Sequence, residues 1–236
     1  MKRPFVISFL NPKGGTGKST LAINVACAFT LEGRSVGLLD TDPQKSAYYW
    51  QYLRFPRMIE SGKLGDIAES EKGFPVVIDR SHGIDRQAFT DLNFELIVVD
   101  GFARLDGDYQ RLTNASDLIL IPVRPTPLDI WGVSDFVAMV KAHQRETGGH
   151  PRAAFVVSMQ RSGTKLARGA DTSLTPYDLP VLKSRTSHRV AYQRSITRGL
   201  SVVHFEPNSD AASEIRSVAA EILEIRRDVI SLRTAA

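Results

Sequence analysis

Residues Phe5–Thr20 read FVISFLNPKGGTGKST, and the order of residue types in this stretch decides the fold. The apolar run Phe5–Leu10 predicts a buried strand, the glycine-rich segment after it predicts a tight loop, and Leu21–Leu31 predicts a helix. This order is typical of a phosphate-binding loop. Glycines allow backbone N–H groups to surround an anion, and a helix N-terminus favours negative charge.

Two lysines in this loop predict different roles. Lys18 precedes Ser19 as in the pattern G-K-[ST], so we expect its ammonium at the β- and γ-phosphates and the Ser19 hydroxyl on Mg²⁺. Pro12 replaces the first glycine of the strict pattern G-x-x-x-x-G-K-[ST], and Lys13 follows it. The alternative is a glycine-rich surface turn with exposed lysines. The residues expected to contact the nucleotide are Lys13, Gly14, Gly15, Thr16, Gly17, Lys18, Ser19 and Thr20.

The loop Lys13–Thr20, KGGTGKST, resembles the deviant Walker A motif of the ParA/MinD family of ATPases. The resemblance covers nearly the whole chain and is closest to short, ParF-like members of the ParA type. It implies ATP and Mg²⁺ as cofactors and hydrolysis of ATP to ADP and phosphate. It also implies an ATP-dependent sandwich homodimer, in which Lys13 reaches the nucleotide of the other subunit and takes part in catalysis with Lys18.

Three aspartates follow predicted strands. Asp40 ends the apolar run Ser35–Asp40, Asp42 follows it, and Asp100 ends LIVVD. The carboxyl ends of parallel strands line the ligand crevice, and phosphoryl transfer needs carboxylates to hold Mg²⁺ and to orient water. Asp100 matches a Walker B aspartate. The resemblance places Asp40 with Ser19 and Asp100 around Mg²⁺, and Asp42 against the attacking water. The alternative is that Asp42 caps the next helix.

Apolar runs and helical patterns alternate along the chain. This predicts an α/β fold, a single P-loop domain over residues 1–236 with a mostly parallel sheet and helices on both faces. Further strands are expected at Val76–Asp79, Leu96–Asp100, Leu118–Val123 and Ala153–Met159. Helices are expected at Ala47–Arg57, Ile84–Asn93, Ile130–Arg145, Arg189–Arg198 and Ser209–Arg233.

Two further stretches resemble family segments. Three prolines in Pro122–Asp129 predict a loop, and this segment resembles a proline-rich part of the nucleotide-dependent dimer interface. A rigid surface turn is the alternative. Phe205–Ile215 resembles the segment that closes over adenine, which would place Pro207 and Asn208 nearest the base. Capping of the last helix by Asn208 or Ser209 is the other interpretation.

Basic residues are concentrated in Arg152–Phe205. This range holds nine Lys and Arg and two acidic residues, a net charge of +7, which leaves 4 − 7 = −3 for the rest of the chain. Sequence-independent DNA binding needs cationic groups near phosphates, and the resemblance implies such binding by the ATP dimer. In a helix, Arg194 and Arg198 would share a face. The candidate DNA contacts are Arg185, Arg189, Arg194 and Arg198, with solvated arginines as the alternative.

The sequence shows no membrane or secretion signal. No apolar run approaches the ~20 residues of a membrane span, and MKRPFVISFL leads into the loop without a small-residue cleavage site. The lone Cys27 excludes an intramolecular disulfide and suits a reducing cytosol. We therefore expect a cytoplasmic protein that does not bind membranes, and the DNA binding that the resemblance implies would make it nucleoid-associated.

The resemblance to the ParA/MinD family implies a partition ATPase that segregates plasmid or chromosomal DNA. Its ATP dimer would bind non-specific DNA, and a ParB-type or cargo-adaptor protein would stimulate hydrolysis. One alternative is a positioning ATPase for a protein cargo, such as a chemoreceptor cluster or microcompartment; another is a conjugative DNA-transfer factor. An ATPase of metal-cluster assembly is the alternative from another class, and a lone cysteine disfavours it because clusters need several.

Overall fold

Six parallel strands form the centre of the structure, a computed structural model that describes residues 3–53, 73–81, 89, 92–104 and 107–235. The order across the sheet is β3-β2-β4-β1-β5-β6, and every pairing is parallel. This confirms the predicted α/β class. The strands are β1 (Phe5–Phe9), β2 (Val36–Asp40), β3 (Val76–Asp79), β4 (Leu96–Asp100), β5 (Leu118–Val123) and β6 (Arg152–Val157).

Helices cover both faces of the sheet. One apolar cluster lies under the helices that contain Leu21–Phe29, Trp50, Tyr192, Val202 and Ile215. The other lies under the helices that contain Leu112, Ile130, Phe136 and Leu174. The helices are α1 (Lys18–Leu31), α2 (Ser46–Tyr52), α3 (Gly107–Ala115), α4 (Pro127–Trp131), α5 (Ser134–Glu146), α6 (Lys165–Arg168), α7 (Ala170–Leu174), α8 (Val190–Ile196), α9 (Val202–Phe205) and α10 (Asp210–Ala235), with a 3₁₀ turn at Thr175–Tyr177.

Strand β1 is buried on both faces, which explains its uninterrupted apolar sequence. Phe5, Ile7 and Phe9 belong to the cluster under α1 and α10, and Val6 belongs to the cluster under α3 and α5. Because β1 lies between β4 and β5, the loop that follows it opens at the middle of the sheet's carboxyl edge. The site is therefore held by the most buried part of the fold.

The prediction that Pro122–Asp129 is a loop is wrong at both ends. Pro122 and Val123 belong to β5, and α4 begins at Pro127. Pro122 is tolerated because β1 ends at Phe9, so no backbone carbonyl of β1 needs its missing N–H. Its own carbonyl accepts a hydrogen bond of 2.7 Å from the Asn11 side chain instead.

The predicted helix at Ile130–Arg145 is divided. It falls into the end of α4 and the whole of α5, which are separated at Gly132 and Val133. The prediction at Ala47–Arg57 is met by α2, and its residues after 53 lie outside the described part. So does most of the prediction at Ile84–Asn93.

The last helix packs against the body of the protein. Ile215, Val218 and Ile222 are fully buried, and α10 lies along α1. The predicted helix at Ser209–Arg233 is therefore met by α10, whose buried apolar residues pack within the chain. Within the described ranges, no helix has both the length and the apolar character needed to cross a bilayer.

Candidate nucleotide and magnesium site

The loop between β1 and α1 is shaped to receive an anion. Gly15 and Gly17 have positive φ values of 72° and 88°, a conformation that disfavours residues with a Cβ. Among the described residues, no hydrogen bond uses the backbone N–H groups of Gly14, Gly15, Thr16, Gly17 or Lys18 as donors. Successive unsatisfied N–H groups at a helix N-terminus are what a phosphate group requires.

Side chains at the sheet edge hold this loop in place. Asn11, fully buried, accepts the Lys13 N–H at 2.8 Å and donates to the Pro122 carbonyl. The Ser158 hydroxyl, at the end of β6, donates to the Thr16 carbonyl at 2.7 Å. The loop is therefore fixed to β5 and to the end of β6, and it needs little rearrangement to bind phosphate.

The two loop lysines point to different neighbours. Lys18 is buried, and its ammonium donates to the Lys13 carbonyl at 3.0 Å, inside the curve of the loop. Burial lowers the pKa of Lys18, although nearby Asp100 and Asp42 act to raise it. The Lys13 ammonium instead lies 2.5 Å from the Asp129 carboxylate on α4. In the separate chain, Lys13 is thus directed away from its own loop.

Asp100 has the environment expected of a metal ligand. It is fully buried, and neither carboxylate oxygen has a hydrogen-bond partner among the described residues. Burial first, and then the neighbouring Asp40, raise the pKa of Asp100 well above its ordinary value; the Ser19 hydroxyl lies near enough to act in the opposite direction. An unpaired buried carboxylate beside a hydroxyl fits Mg²⁺, which binds oxygen ligands and commonly shares them with phosphates.

Gly101 explains why no larger residue follows Asp100. Its N–H donates to the Phe9 carbonyl at 3.2 Å, and a Cβ at this position would lie 2.8 Å from the same carbonyl oxygen and 2.4 Å from a Leu10 methyl carbon. A side chain would therefore push β4 away from β1. Glycine keeps the Asp100 backbone close to the start of the phosphate loop.

Asp40 and Asp42 differ from the expected arrangement. The two Asp40 oxygens accept the backbone N–H groups of Asp42 at 3.1 Å and Tyr48 at 2.8 Å, so Asp40 caps α2. Burial raises its pKa to about 6. Asp42 does not cap that helix: its carboxylate accepts the Gln44 N–H at 2.9 Å within the turn that follows β2. Asp42 is half-buried near Lys18, and within the described ranges its carboxylate accepts no hydrogen bond other than that of Gln44.

A cavity of about 270 Å³ begins beside the phosphate loop and extends toward α8. Met159, at its wall, has a left-handed φ of 52° and places its sulfur 3.8 Å from a Cβ built on Gly17. A strained non-glycine residue beside a cavity is a feature of ligand sites. The residues lining the cavity are Gly17, Thr20, Leu21, Ser158, Met159, Thr186, Ser187, His188, Arg189, Tyr192, Gln193, Ile196 and Thr197.

Pro207 and Asn208 do not line this cavity. Both are exposed, just before α10. The interpretation that Ser209 caps the last helix is met, because its hydroxyl accepts the Ala212 N–H at 3.2 Å. The sequence analysis did not identify Thr186–His188 as cavity residues, since no motif marks them, and it placed Met159 only at the end of a predicted strand.

The four candidate arginines fall into two pairs. Arg185 lies 2.5 Å from Asp171, and Arg189 lies 2.9 Å from Asp210 and 3.0 Å from Glu214. The stretch 185–198 contains no Asp or Glu. The carboxylates that pair with these two arginines come instead from α7 and α10. Ion pairing gives Arg185 and Arg189 structural contacts within the chain.

Arg194 and Arg198 are the more accessible pair. The prediction that one helical face presents both is wrong, because α8 ends at Ile196 and Arg198 lies beyond it. The two guanidinium groups nevertheless meet over the ring of Phe205, at 5.3 Å and 4.6 Å from its centroid. Arg194 also lies 3.4 Å from Glu206, whereas Arg198 has no carboxylate partner among the described residues.

The sequence of this chain is similar to those of known nucleotide-binding proteins. The family model described as the CobQ/CobB/MinD/ParA nucleotide binding domain matches residues 7–202. A relative named maintenance of carboxysome distribution protein A, from Halothiobacillus neapolitanus, is 29% identical over 224 residues, which cover 94% of this chain and 97% of the relative. The chromosome-partitioning ATPase Soj of Thermus thermophilus is 24% identical over 237 residues, covering 92% and 94%.

Solved structures show the same fold. Apo McdA from Cyanothece superposes with a TM-score of 0.73 at 14% identity, covering 93% of this chain and 99% of that protein. A putative plasmid partition protein from Borrelia burgdorferi B31, bound to AMPPNP, superposes with a TM-score of 0.72 at 18% identity, covering 94% and 99%.

Proposed function

The chain belongs to the CobQ/CobB/MinD/ParA nucleotide-binding family, and we propose that it is a positioning ATPase that works as an ATP-dependent homodimer on DNA. The observation that carries this proposal is the set of N–H groups from Gly14 to Lys18 that no described residue accepts, with Lys18 buried inside their curve. Together they supply the donors and the cation that a triphosphate needs. The base then extends into the cavity beside Met159.

The carboxylates divide the remaining chemistry between them. Ser19 and Asp100 would hold Mg²⁺, with Asp40 beside them, and the metal would supply charge neutralisation for the bound phosphates. Asp42 orients the attacking water. Its lone pairs are available because the Gln44 N–H occupies one carboxylate oxygen only. Lys13, directed outward in the separate chain, acts on the nucleotide of the other subunit.

The proposed DNA surface is formed by Arg194 and Arg198 over Phe205. Both guanidinium groups are exposed, and the shared ring holds them side by side, as cation–π contacts do. Arg185 and Arg189 are excluded from this surface because their side chains are only 22% and 34% exposed and lie 2.5 Å and 3.0 Å from intrachain carboxylates. Arg194 is 56% exposed, and its contact with Glu206 is longer, at 3.4 Å. Each chain thus offers two phosphate contacts, and the dimer offers four.

We infer a protein assembly as the cargo, with DNA as the second candidate. The first inference rests on the carboxysome-distribution relative, and the second rests on Soj. A cargo-bound adaptor or ParB-type protein would stimulate hydrolysis in either case. A neighbouring reading frame that encodes a small basic DNA-binding protein would favour DNA as the cargo. We place the protein in the cytoplasm, associated with the nucleoid.

Fluorescence anisotropy on two unrelated DNA duplexes tests this function. Each neutralised phosphate contributes about −0.9 to the slope of log K against log salt, so we expect about −3.6 with an ATP analogue and about −1.8 with ADP. The double variant Arg194→Ala with Arg198→Ala should flatten the slope equally on both duplexes. Arg185→Ala is the matched control and should leave the slope unchanged.

Three results would overturn this surface assignment. They are a strong preference for one duplex, equal binding with ADP and ATP analogue, and an unchanged slope in the double variant. A loss of DNA binding in Arg185→Ala equal to that in the double variant would move the surface toward α7.

A further inference from the structure

Lys45 has a left-handed backbone at the junction between β2 and α2. Its φ and ψ are 53° and 41°, a conformation that a residue with a Cβ adopts about 5- to 30-fold less readily than the right-handed one. The Lys45 N–H donates to the Asp42 carbonyl at 2.8 Å, and the Lys45 carbonyl accepts the Tyr49 N–H at 2.9 Å. This strained residue therefore ends the turn that begins at Asp42, the residue to which the proposed function assigns the attacking water.

The side chain of Lys45 is paired with the end of β3. Its ammonium donates to one Asp79 oxygen at 2.7 Å, and each of the two side chains is 23% exposed. The other Asp79 oxygen accepts the Ser81 N–H at 2.9 Å and the Ser81 hydroxyl at 2.6 Å, so the carboxylate is held in place. Burial acts to raise the pKa of Asp79, but Lys45 and Ser81 lower it to about 2. The pair is therefore charged at neutral pH.

The sheet connects this pair to the aspartates of the site. Asp79 lies in register with Asp40 on the neighbouring strand, and the Arg80 N–H donates to the Asp40 carbonyl at 2.8 Å. One Asp40 oxygen accepts the Asp42 N–H at 3.1 Å. The turn is thus held at its first residue by Asp40 and at its last residue, Lys45, by Asp79. Both holding residues belong to strands of the same sheet.

We propose that Asp79 is a positioning residue for ATP hydrolysis: it keeps Lys45 in the left-handed conformation and thereby keeps the Asp42 carboxylate oriented. This inference rests on the proposed role of Asp42. Without the ion pair, Lys45 relaxes toward the right-handed region, and the turn that carries Asp42 moves with it. A displacement of about 1 Å can slow a reaction by about 100-fold. The phosphate-binding groups lie in a different loop, so the hold affects turnover and leaves ATP binding unchanged.

Two substitutions of Lys45 separate its charge from its backbone conformation. Lys45→Ala and Lys45→Gly both remove the ammonium group, but only glycine adopts a φ of 53° without steric cost. A partly exposed ion pair changes an equilibrium by up to about fivefold. We therefore expect kcat with saturating Mg·ATP to fall about two- to fivefold in Lys45→Ala and to remain at the wild-type value in Lys45→Gly. The KM for ATP should not change in either variant.

Asp79→Asn tests the same contact from the other strand, because it removes the charge and keeps the size. It should also lower kcat about two- to fivefold with unchanged KM. In a Lys45→Gly background, where no strained residue needs the pair, Asp79→Asn should have no effect on kcat. Asp178→Asn is the matched control, since it removes a Lys–Asp pair of similar length, 2.9 Å to Lys141, and should leave kcat unchanged.

Three results would each overturn the proposal. They are wild-type kcat in Asp79→Asn, equal losses in Lys45→Ala and Lys45→Gly, and an effect of Asp79→Asn that persists in the Lys45→Gly background. Failure of the proposed function has a different signature, which is a wild-type chain that does not hydrolyse ATP or an Asp42→Ala variant with wild-type turnover.

Hydrogen exchange decides in those cases, and also if Asp79→Asn fails to fold. The Gln44 N–H donates to the Asp42 carboxylate at 2.9 Å, so its exchange rate reports on the turn without nucleotide. In the nucleotide-free chain, we expect the Gln44 amide to exchange about two- to fivefold faster in Lys45→Ala than in Lys45→Gly. Equal exchange rates in the two variants would overturn the proposal.

Discussion

Replacing Asp100 by Asn should stabilise the protein without nucleotide and abolish its response to Mg·ATP. The Asp100 carboxylate is fully buried, and its oxygens have no hydrogen-bond partner in the described part of the chain. Asn keeps a neutral polar group of the same size and removes the charge that burial disfavours, so the gain comes from abolishing the raised pKa of Asp100, which costs up to about 1.4 kcal/mol of stability for each pH unit above its ordinary value. For a chain of this length, each 1.4 kcal/mol corresponds to a rise in Tm of about 3–6 °C in Asp100→Asn.

The sign of the pH dependence follows from the raised pKa values. The native state keeps protons on Asp100 and Asp40 at pH values where the unfolded state has lost them, so stability falls as pH rises above about 3.8. The slope is up to about 1.4 kcal/mol per pH unit for each group. The loss of stability that arises from Asp40 ends near its raised pKa of about 6. The stability difference between Asp100→Asn and wild type should therefore grow from pH 4 to neutral pH.

Asp117 provides the matched control. It is also a fully buried aspartate, but it accepts the Val6 N–H at 2.8 Å and pairs with Arg3 at 3.1 Å and Arg233 at 2.5 Å. Asp117→Asn should therefore destabilise the protein by about 1–3 kcal/mol, the opposite sign.

Thermal unfolding followed by circular dichroism measures both variants, with and without Mg·ATP. Wild type at 100 times its Kd for nucleotide should gain about 2.7 kcal/mol, and Asp100→Asn should gain almost none. Destabilisation of Asp100→Asn in the absence of nucleotide, or a full response to Mg·ATP, would refute the reasoning about this carboxylate.

Two further substitutions separate binding from hydrolysis. Lys18→Ala should lose measurable ATP affinity by calorimetry with native circular dichroism, because the backbone donors alone cannot balance the phosphate charge; unchanged affinity would show that the loop does not bind the triphosphate. Asp42→Ala should bind ATP normally and stabilise the dimer while turnover falls, and turnover equal to wild type with partner present would move the water-orienting role to another residue.

Much of the fold was readable from the sequence, because buried parallel strands produce uninterrupted apolar runs. Phe5–Leu10, Leu96–Asp100 and Leu118–Val123 each gave a strand of the sheet. The position of Pro122 within a strand could not be predicted, since proline normally argues against a strand. Proline is accepted here because the neighbouring strand β1 has already ended, which the residues around Pro122 do not indicate.

The tight glycine-rich loop between β1 and α1 was readable because its residues are contiguous. The contacts of distant residues were not: a run of arginines without local acids gave no sign that Asp171 and Glu214 would pair with Arg185 and Arg189. The pairing of Lys13 with Asp129 had one usable signal, the pattern Thr126-Pro-Leu-Asp129, which is typical of a helix N-terminus. That pattern predicts the Thr126–Asp129 contact, but nothing in it indicates the lysine.

The central claim is that nucleotide state controls self-association, and light scattering of the wild-type chain measures this most directly. With Mg²⁺ and a non-hydrolysable ATP analogue, the mass should be 2 × 26.1 = 52.2 kDa; with ADP it should remain 26.1 kDa. Lys13→Ala should bind ADP and stay at the lower mass with either nucleotide. A wild-type mass of 26.1 kDa at saturating analogue, or a normal dimer of Lys13→Ala, would contradict the account.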